Sequence, residues 1–205
     1  MRLRPFHSFA PAALILFASG PASAHHAMGG KTPTTFAEGM LSGLGHPVIG
    51  IDHLVFLIAV GVVVAVCGLS FVLPVAFIVA MAIGVAAHVN GISIPASELV
   101  VALTVLAAGL LLVREHKPST AVWAALFTVA GFFHGYAFGE AISGAERAPL
   151  SAYLVGLIII QSALILGIAW LTRRIQLSGV TPRLIGAAVG GVGIAVVMAQ
   201  IVPAG

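Results

Sequence analysis

Charged residues are scarce in this sequence. Only 7% of its 205 residues are Asp, Glu, Lys or Arg, whereas 60% are hydrophobic. A soluble domain usually carries about 25% charged residues, so this chain cannot cover a water-facing surface. The scarcity of charge excludes an ordinary soluble domain and predicts an integral membrane protein whose surroundings are the lipid bilayer.

Several functional signatures are also missing. Cys67 is the only cysteine, which excludes an intrachain disulfide and a thiolate cluster. The motifs GxxxxGK[ST], HExxH and GxSxG are absent, so nothing indicates ATP hydrolysis, an intramembrane metalloprotease or a serine hydrolase. The basic residues are scattered along the chain. We therefore predict neither an enzyme nor a nucleic-acid partner.

Residues 1–24 have the pattern of a secretory signal peptide. Arg2 and Arg4 precede a short apolar run, and Ala22-Ser23-Ala24 forms an A-x-A cleavage site. The alternative is an uncleaved first transmembrane helix, but the run is short and contains Pro11. We predict cleavage after Ala24, followed by an extracytoplasmic segment over 25–45, with residues 27–42 as a linker.

Six apolar runs follow, separated by Gly, Pro, Ser and Asn turn signals. Each is close to the roughly 20 residues that a membrane span needs. They predict an all-α, six-helix transmembrane domain over 46–205. The expected helices are 47–66, 70–89, 97–113, 120–139, 151–172 and 182–202.

Two independent arguments agree on the orientation. A cleaved signal peptide places residue 25 outside, and six spans then place the loops 67–70, 114–119 and 173–183 in the cytoplasm. These loops contain five basic residues, against two in the outer segments, as the positive-inside rule requires. We predict a bacterial inner (plasma) membrane protein with both termini in the periplasm.

The stretch from Gly43 to Val60 places ionisable groups at the mouth of the first predicted helix. His46, Asp52 and His53 are costly in lipid, which favours a functional site, and they suit a borderline divalent metal. The two imidazoles would start about 10.5 Å apart on a continuous helix. They can share an ion only if the chain breaks between them, as Gly50 permits; otherwise they form two stations on a path. The alternatives without a metal are a helix cap for His46 and a structural hydrogen bond inside the bundle for Asp52 and His53.

The second motif is Phe133-His134-Gly135-Tyr-Ala-Phe-Gly139-Glu140. Glycines recur every four residues from Gly131 and would let another helix approach closely, so His134 would lie at a helix contact. A polar crosslink between helices is the alternative to a ligand role. The candidate metal ligands on the outer face, including the histidines beside the predicted cleavage site, are His25, His26, His46, Asp52, His53, His88, His134 and Glu140.

Together the two motifs resemble the HupE/UreJ family, without departure from its pattern. The resemblance implies a nickel permease that accompanies hydrogenase or urease maturation, with a signal peptide and six helices. It also implies functional roles for His46, Asp52, His53, His134 and Glu140. Ligand type does not choose among transition metals, so Ni2+ is the expected cargo and Co2+, Cu2+ and Zn2+ stay open.

We therefore predict secondary transport of a divalent transition-metal ion from periplasm to cytoplasm, with no prosthetic group. The alternative is a haem- or metal-binding membrane protein with an electron-transfer or enzymatic role, since histidines are also axial haem ligands. The oligomeric state is left open, a homo-oligomer included.

Overall fold

Helices make up almost all of the chain that the computed structural model describes, residues 31–202. These residues form seven α-helices and no strand, which confirms the all-α prediction. The predicted signal peptide and the candidate ligands His25 and His26 lie outside the described residues. The helices are α1 (Phe36–Ile49), α2 (Ile51–Val66), α3 (Val72–Val89), α4 (Ser97–Val113), α5 (Thr120–Glu140), α6 (Arg147–Arg174) and α7 (Thr181–Ile201).

Helix α1 corrects the prediction of a linker over 27–42 at residues 36–42, whereas residues 27–30 lie outside the described part of the chain. Thr35 and Glu38 form a capping box: the Glu38 N–H donates to Thr35 Oγ1 at 3.2 Å, and the Glu38 carboxylate accepts from the Thr35 N–H at 3.2 Å. This pattern is a known helix start. The segment has little apolar periodicity because glycines occupy its packed face: Gly39 lies against Pro149 and Gly43 against Tyr153, both in α6.

The first predicted span is broken at Gly50. Pro47 lies in the last turn of α1, Gly50 has extended backbone (φ −72°, ψ 106°), and α1 and α2 are bent by 77°. A Cβ at residue 50 would lie 2.7 Å from His53 Cδ2, closer than side-chain carbon atoms approach. A larger residue at position 50 would therefore displace the His53 ring, and Gly50 lies at the corner between the two helices.

Helix length limits how many spans the structure supports. Within residues 31–202, α3, α5, α6 and α7 are long and apolar enough to cross a membrane. The bent pair α1–α2 would make a fifth span, and α4 has only 17 residues. Six spans therefore stay a prediction.

Three close helix pairs build the bundle, and each is lined with glycine. α1 and α2 run in the same direction as α6, and α3 runs in the same direction as α5, whereas α4 and α7 are antiparallel. The predicted glycine stripe of α5 does permit close approach, because Gly131 lies against Phe77 and Gly135 against Met81 in α3. Gly186 and Gly190 of α7 lie against Gly109 of α4, so these glycines let the two helices pack closely.

The buried apolar side chains form two clusters. The large cluster includes Phe56, Phe77, Phe127 and Trp123, and the small cluster contains Met81, Val85, Phe138, Ile142, Tyr153 and Leu157. Buried polar side chains from α1, α2, α4 and α5 lie where the two clusters meet, since the His134 ring contacts Phe56 and the His53 ring contacts Phe138. The fold thus holds a polar layer between two apolar ones.

Candidate metal site

The break at Gly50 brings the first motif together. His46 lies in the last turn of α1, Asp52 and His53 lie in the first turn of α2, and all three side chains are buried. The two imidazole ring centroids are 6.0 Å apart. A continuous helix would have started these side chains about 10.5 Å apart, so of the two alternatives the chain adopts the break between the histidines.

The second motif meets the first through its histidine. Nδ1 of His134 lies 2.8 Å from Nδ1 of His53, and His134 is 1% exposed. Two ring nitrogens at this distance share one hydrogen, so one ring donates and the other accepts. The two motifs therefore meet inside the bundle through this pair.

Thr104 of α4 decides which of these two rings donates. Its hydroxyl donates to the carbonyl of Val101 at 2.6 Å, and its oxygen lies 3.1 Å from Nε2 of His134. Because the hydroxyl has one hydrogen, Nε2 of His134 is the donor to Thr104 and Nδ1 is the acceptor. The network thus assigns the hydrogen between the rings to Nδ1 of His53, which leaves the lone pair of His53 on Nε2.

Tyr153 of α6 determines the tautomer of His46 in the same way. Its hydroxyl donates to the carbonyl of Phe138 at 2.9 Å and lies 2.8 Å from Nδ1 of His46. Nδ1–H of His46 therefore donates to the Tyr153 oxygen, and Nε2 is the nitrogen with the lone pair. Two separate chains of hydrogen bonds, each ending at a backbone carbonyl, thus select the same tautomer for His46 and His53.

Asp52 supplies the negative charge. Its Oδ1 accepts the backbone N–H of His53 at 2.9 Å and lies 4.0 Å from Nε2 of the same residue. The carboxylate is at the N-terminus of α2, where the helix dipole favours an anion. The start of α2 thus provides a compensating partial charge for this buried carboxylate.

Two imidazole nitrogens with lone pairs and one carboxylate are donors that transition-metal ions accept. They are not already gathered: among residues 31–202, no group of three or more His, Cys, Asp or Glu is arranged to hold a metal ion. The 2.8 Å between the His53 and His134 nitrogens is also too short for an ion that needs about 2.0–2.1 Å to each. An ion can be held here only after side chains rotate.

Two other predicted ligands lie away from this cluster. His88, in the last turn of α3, packs its ring 4.7 Å from that of Tyr136 and contacts Gly139, more than a turn beyond His134 along α5. Nδ1 of His88 is buried and has no hydrogen-bond partner among the described residues. Glu140 is exposed at the end of α5. Their roles as ligands stay predictions.

Thr104 and Tyr153 were missed by the sequence reasoning. Each is a single polar side chain within an apolar run, and both are buried. The four-residue spacing of small or polar residues along α6 (Ala152, Gly156) marks its packed face, but nothing in the sequence indicates that Tyr153 reaches His46. That contact depends on the tertiary packing of α1 on α6.

Comparisons with known proteins agree with the motifs. A family model described as HupE / UreJ protein matches residues 13–196. The curated Protein HupE of Rhizobium leguminosarum bv. viciae is 33% identical over 167 residues, which cover 79% of this chain and 86% of that protein. No solved structure matches this chain. Because the family model covers most of the sequence, the chain belongs to the HupE/UreJ family.

Proposed function

We propose that this protein is a secondary transporter that moves a divalent transition-metal ion, Ni2+ first, from the periplasm into the cytoplasm. The proposal includes a bacterial inner-membrane location, no prosthetic group and no enzymatic reaction. The observation that carries it is the buried cluster of His46, Asp52 and His53 at a broken helix inside an apolar bundle.

The energetic cost of burying ionisable side chains is the first support for a transport function. Ionisable side chains inside a membrane domain are expensive and mark ion pathways, and broken helices recur where transporters bind ions at mid-membrane. A purely structural role would need only hydrogen bonds. Here the hydrogen bonds instead direct the lone pairs of two imidazoles to Nε2, the state in which imidazole binds a metal.

The gathering of basic residues at one end supports the orientation. Lys117 donates to the carbonyl of Val66 at the end of α2, Arg183 donates to that of Val113 at the end of α4, and Arg173 lies 5.1 Å from the Phe71 ring. These contacts join the loops that the positive-inside rule assigns to the cytoplasm. The parallel pairs, α1–α2 with α6 and α3 with α5, and the antiparallel pair α4 and α7 are the directions that six alternating crossings would give.

The choice of nickel depends on the family resemblance rather than on the donor atoms. Imidazole and carboxylate bind Co2+, Cu2+ and Zn2+ as well. The association of HupE/UreJ proteins with hydrogenase and urease maturation, which the two motifs imply, makes Ni2+ the first cargo to test. An inside-negative potential would favour inward movement by about 2.3 kcal/mol per charge per 100 mV.

The proposed sequence of steps begins outside the described residues, where His25 and His26 collect the ion. The ion then loses water as it meets Asp52 and Nε2 of His46 and His53, whose side chains rotate toward it. His134 and Glu140 share or relay it. The large apolar cluster beyond the histidines keeps the path closed until that rotation occurs.

Metal uptake by cells that express the protein tests the proposal, with Ni2+, Co2+, Cu2+ and Zn2+ compared in parallel. We expect Asp52→Asn to abolish uptake at unchanged membrane abundance, because it removes the buried charge and keeps the volume. His116→Ala, in the exposed α4–α5 loop, is the matched control and should be silent. Full uptake by Asp52→Asn would remove the cluster from the mechanism. A haem absorbance band in the purified protein would favour the electron-transfer alternative.

A further inference from the structure

Gln161 is a buried polar side chain that has no part in the transport steps proposed above. It lies in the middle of α6, is 0% exposed, and neither its Oε1 nor its Nε2 has a hydrogen-bond partner among the described residues. A primary amide has two donor hydrogens and an oxygen acceptor. Burying all of them unsatisfied is costly, so a glutamine is unfavourable here unless something binds to it.

The packing of α6 places Gln161 beside the broken helix. It shares the buried face of α6 with Tyr153, Leu157 and Ile165, which follow a four-residue spacing. Toward the start of α6, Tyr153 and Leu157 meet α1 at Gly43; toward its end, the carbonyl of Ile165 meets α2 at Gly61. Gln161 lies between these contacts, level with the corner where α1 ends and α2 begins.

The same position is the boundary between the two apolar clusters. Leu157, one turn before Gln161, belongs to the small cluster, and Ile165, one turn after it, belongs to the large cluster. His53 and His134 also lie at this boundary, because their rings contact Phe138 of the small cluster and Phe56 of the large cluster. The boundary layer thus contains a histidine pair on α2 and α5 and an unpartnered amide on α6.

We propose that Gln161 is a second binding station for the transported divalent cation. Its amide oxygen would replace a water of the cation beside the α1–α2 corner, after the cation meets the imidazoles. This inference rests on the proposed transport function. A neutral amide oxygen binds a transition-metal ion more weakly than imidazole does, and an ion path needs sites weak enough to release the ion. Gln161 is therefore the release side of the site.

Gln161→Met tests this station, because methionine has a similar length but lacks the amide oxygen and the two N–H donors of glutamine. We expect Ni2+ uptake per folded protein to fall about tenfold or more, the factor produced by losing one polar contact to a charged group. Equilibrium Ni2+ binding, which depends on the histidines and Asp52, should be unchanged. Thermal unfolding of the metal-free protein in detergent should be no lower than in the wild type, since an unpartnered amide leaves the core.

A structural role gives the opposite pattern. If a bound water connects Gln161 to neighbouring helices, Gln161→Met lowers the unfolding temperature and leaves uptake per folded protein unchanged. A lowered unfolding temperature or an unchanged uptake overturns the proposal. A Gln161→Met variant that fails to fold overturns it as well. Gln161→Asn keeps the amide and should retain more uptake than Gln161→Met. Gln200→Met makes the same chemical change at an exposed position and is the control.

The outcomes also separate this inference from the function on which it rests. If cells that express the wild type take up no more Ni2+ than cells without the protein do, the transport function itself has failed. If the wild type transports and Gln161→Met transports equally well, only the second station has failed.

Discussion

At the scale of single residues, the hydrogens on the imidazoles matter as much as the imidazoles themselves. Thr104 fixes His134, His134 fixes His53, and Tyr153 fixes His46, each through one hydrogen bond. A ring whose Nδ1–H is committed in this way binds a metal through Nε2 without paying to reorganise its hydrogens. We therefore expect the polar groups around the motif to influence its affinity for a metal ion.

Replacing Thr104 tests this chain of hydrogen bonds. Thr104→Val keeps the shape but leaves Nε2–H of His134 without its acceptor, so we expect metal affinity to fall about 10–100-fold, as for other partners that orient metal-binding histidines. Isothermal titration of the purified protein with Ni2+ would measure this. Thr104→Ser keeps the hydroxyl and should restore most of the affinity. Equal losses in the two variants would point to packing of the threonine methyl instead.

At the scale of helices, the corner at Gly50 determines whether the first motif is a site at all. The bend of 77° turns two side chains that are seven residues apart toward each other. It also ends one helix dipole and begins another beside Asp52, which stabilises the carboxylate. A straight α1–α2 would keep every residue of the motif and lose the arrangement.

Gly50→Ala should therefore impair transport more than folding. The backbone angles at residue 50 suit alanine, but its Cβ would lie 2.7 Å from His53 Cδ2 and 3.3 Å from Asp52 Oδ1, so the ring must move. We expect Ni2+ uptake to fall about tenfold, as for lost orientation of a metal-binding group, with stability changed by no more than about 1 kcal/mol. Gly191→Ala, where an added Cβ meets nothing within 4 Å, should be neutral in both assays.

Particular elements show how far the sequence could predict this structure. Hydropathy and turn residues located the apolar helices, and glycine with proline at the first motif indicated its break. Helix α1 was missed because its packed face is glycine rather than leucine, which hides the apolar period even though Thr35 and Glu38 mark its start. Thr104 and Tyr153 could not be found, because their partners come from helices distant in the chain and depend on tertiary packing.

At the scale of the whole molecule, the two ends differ in charge and contacts. One end joins basic side chains to the carbonyls that end α2 and α4. The other end is held by hydrogen bonds that involve no basic side chain: the Tyr136 hydroxyl donates to the carbonyl of Ile92 at 2.7 Å, and the Gln200 amide donates to the Glu98 carboxylate at 3.1 Å. We expect the basic end to face the cytoplasm.

Thiol labelling of Cys67 tests this orientation, because it is the only cysteine and follows α2 at the basic end. A membrane-impermeant maleimide should label it in inverted vesicles and not in intact spheroplasts. Burial raises the pKa of the Cys67 thiol, and the Lys117 charge opposes this by less. The reactive thiolate is therefore scarce near neutrality, and the labelling rate should rise as the pH is raised above 8.5, which is about the ordinary pKa of cysteine.

The control for that measurement is a thiol at the opposite end. Ser143→Cys, combined with Cys67→Ser, places the label in the exposed turn after α5. It should react in spheroplasts, and labelling of Cys67 there would reverse the proposed orientation.

The short hydrogen bond between His53 and His134 has a consequence for the energy supply of the cell. Without cargo, the two rings close on each other at 2.8 Å, and stacked Phe56 and Phe77 lie directly beyond them. We expect such an arrangement to block a continuous route for a sodium ion or a file of water molecules. We expect the idle protein to leave the proton-motive force undiminished, so a bacterium could keep many copies in its membrane while nickel is scarce.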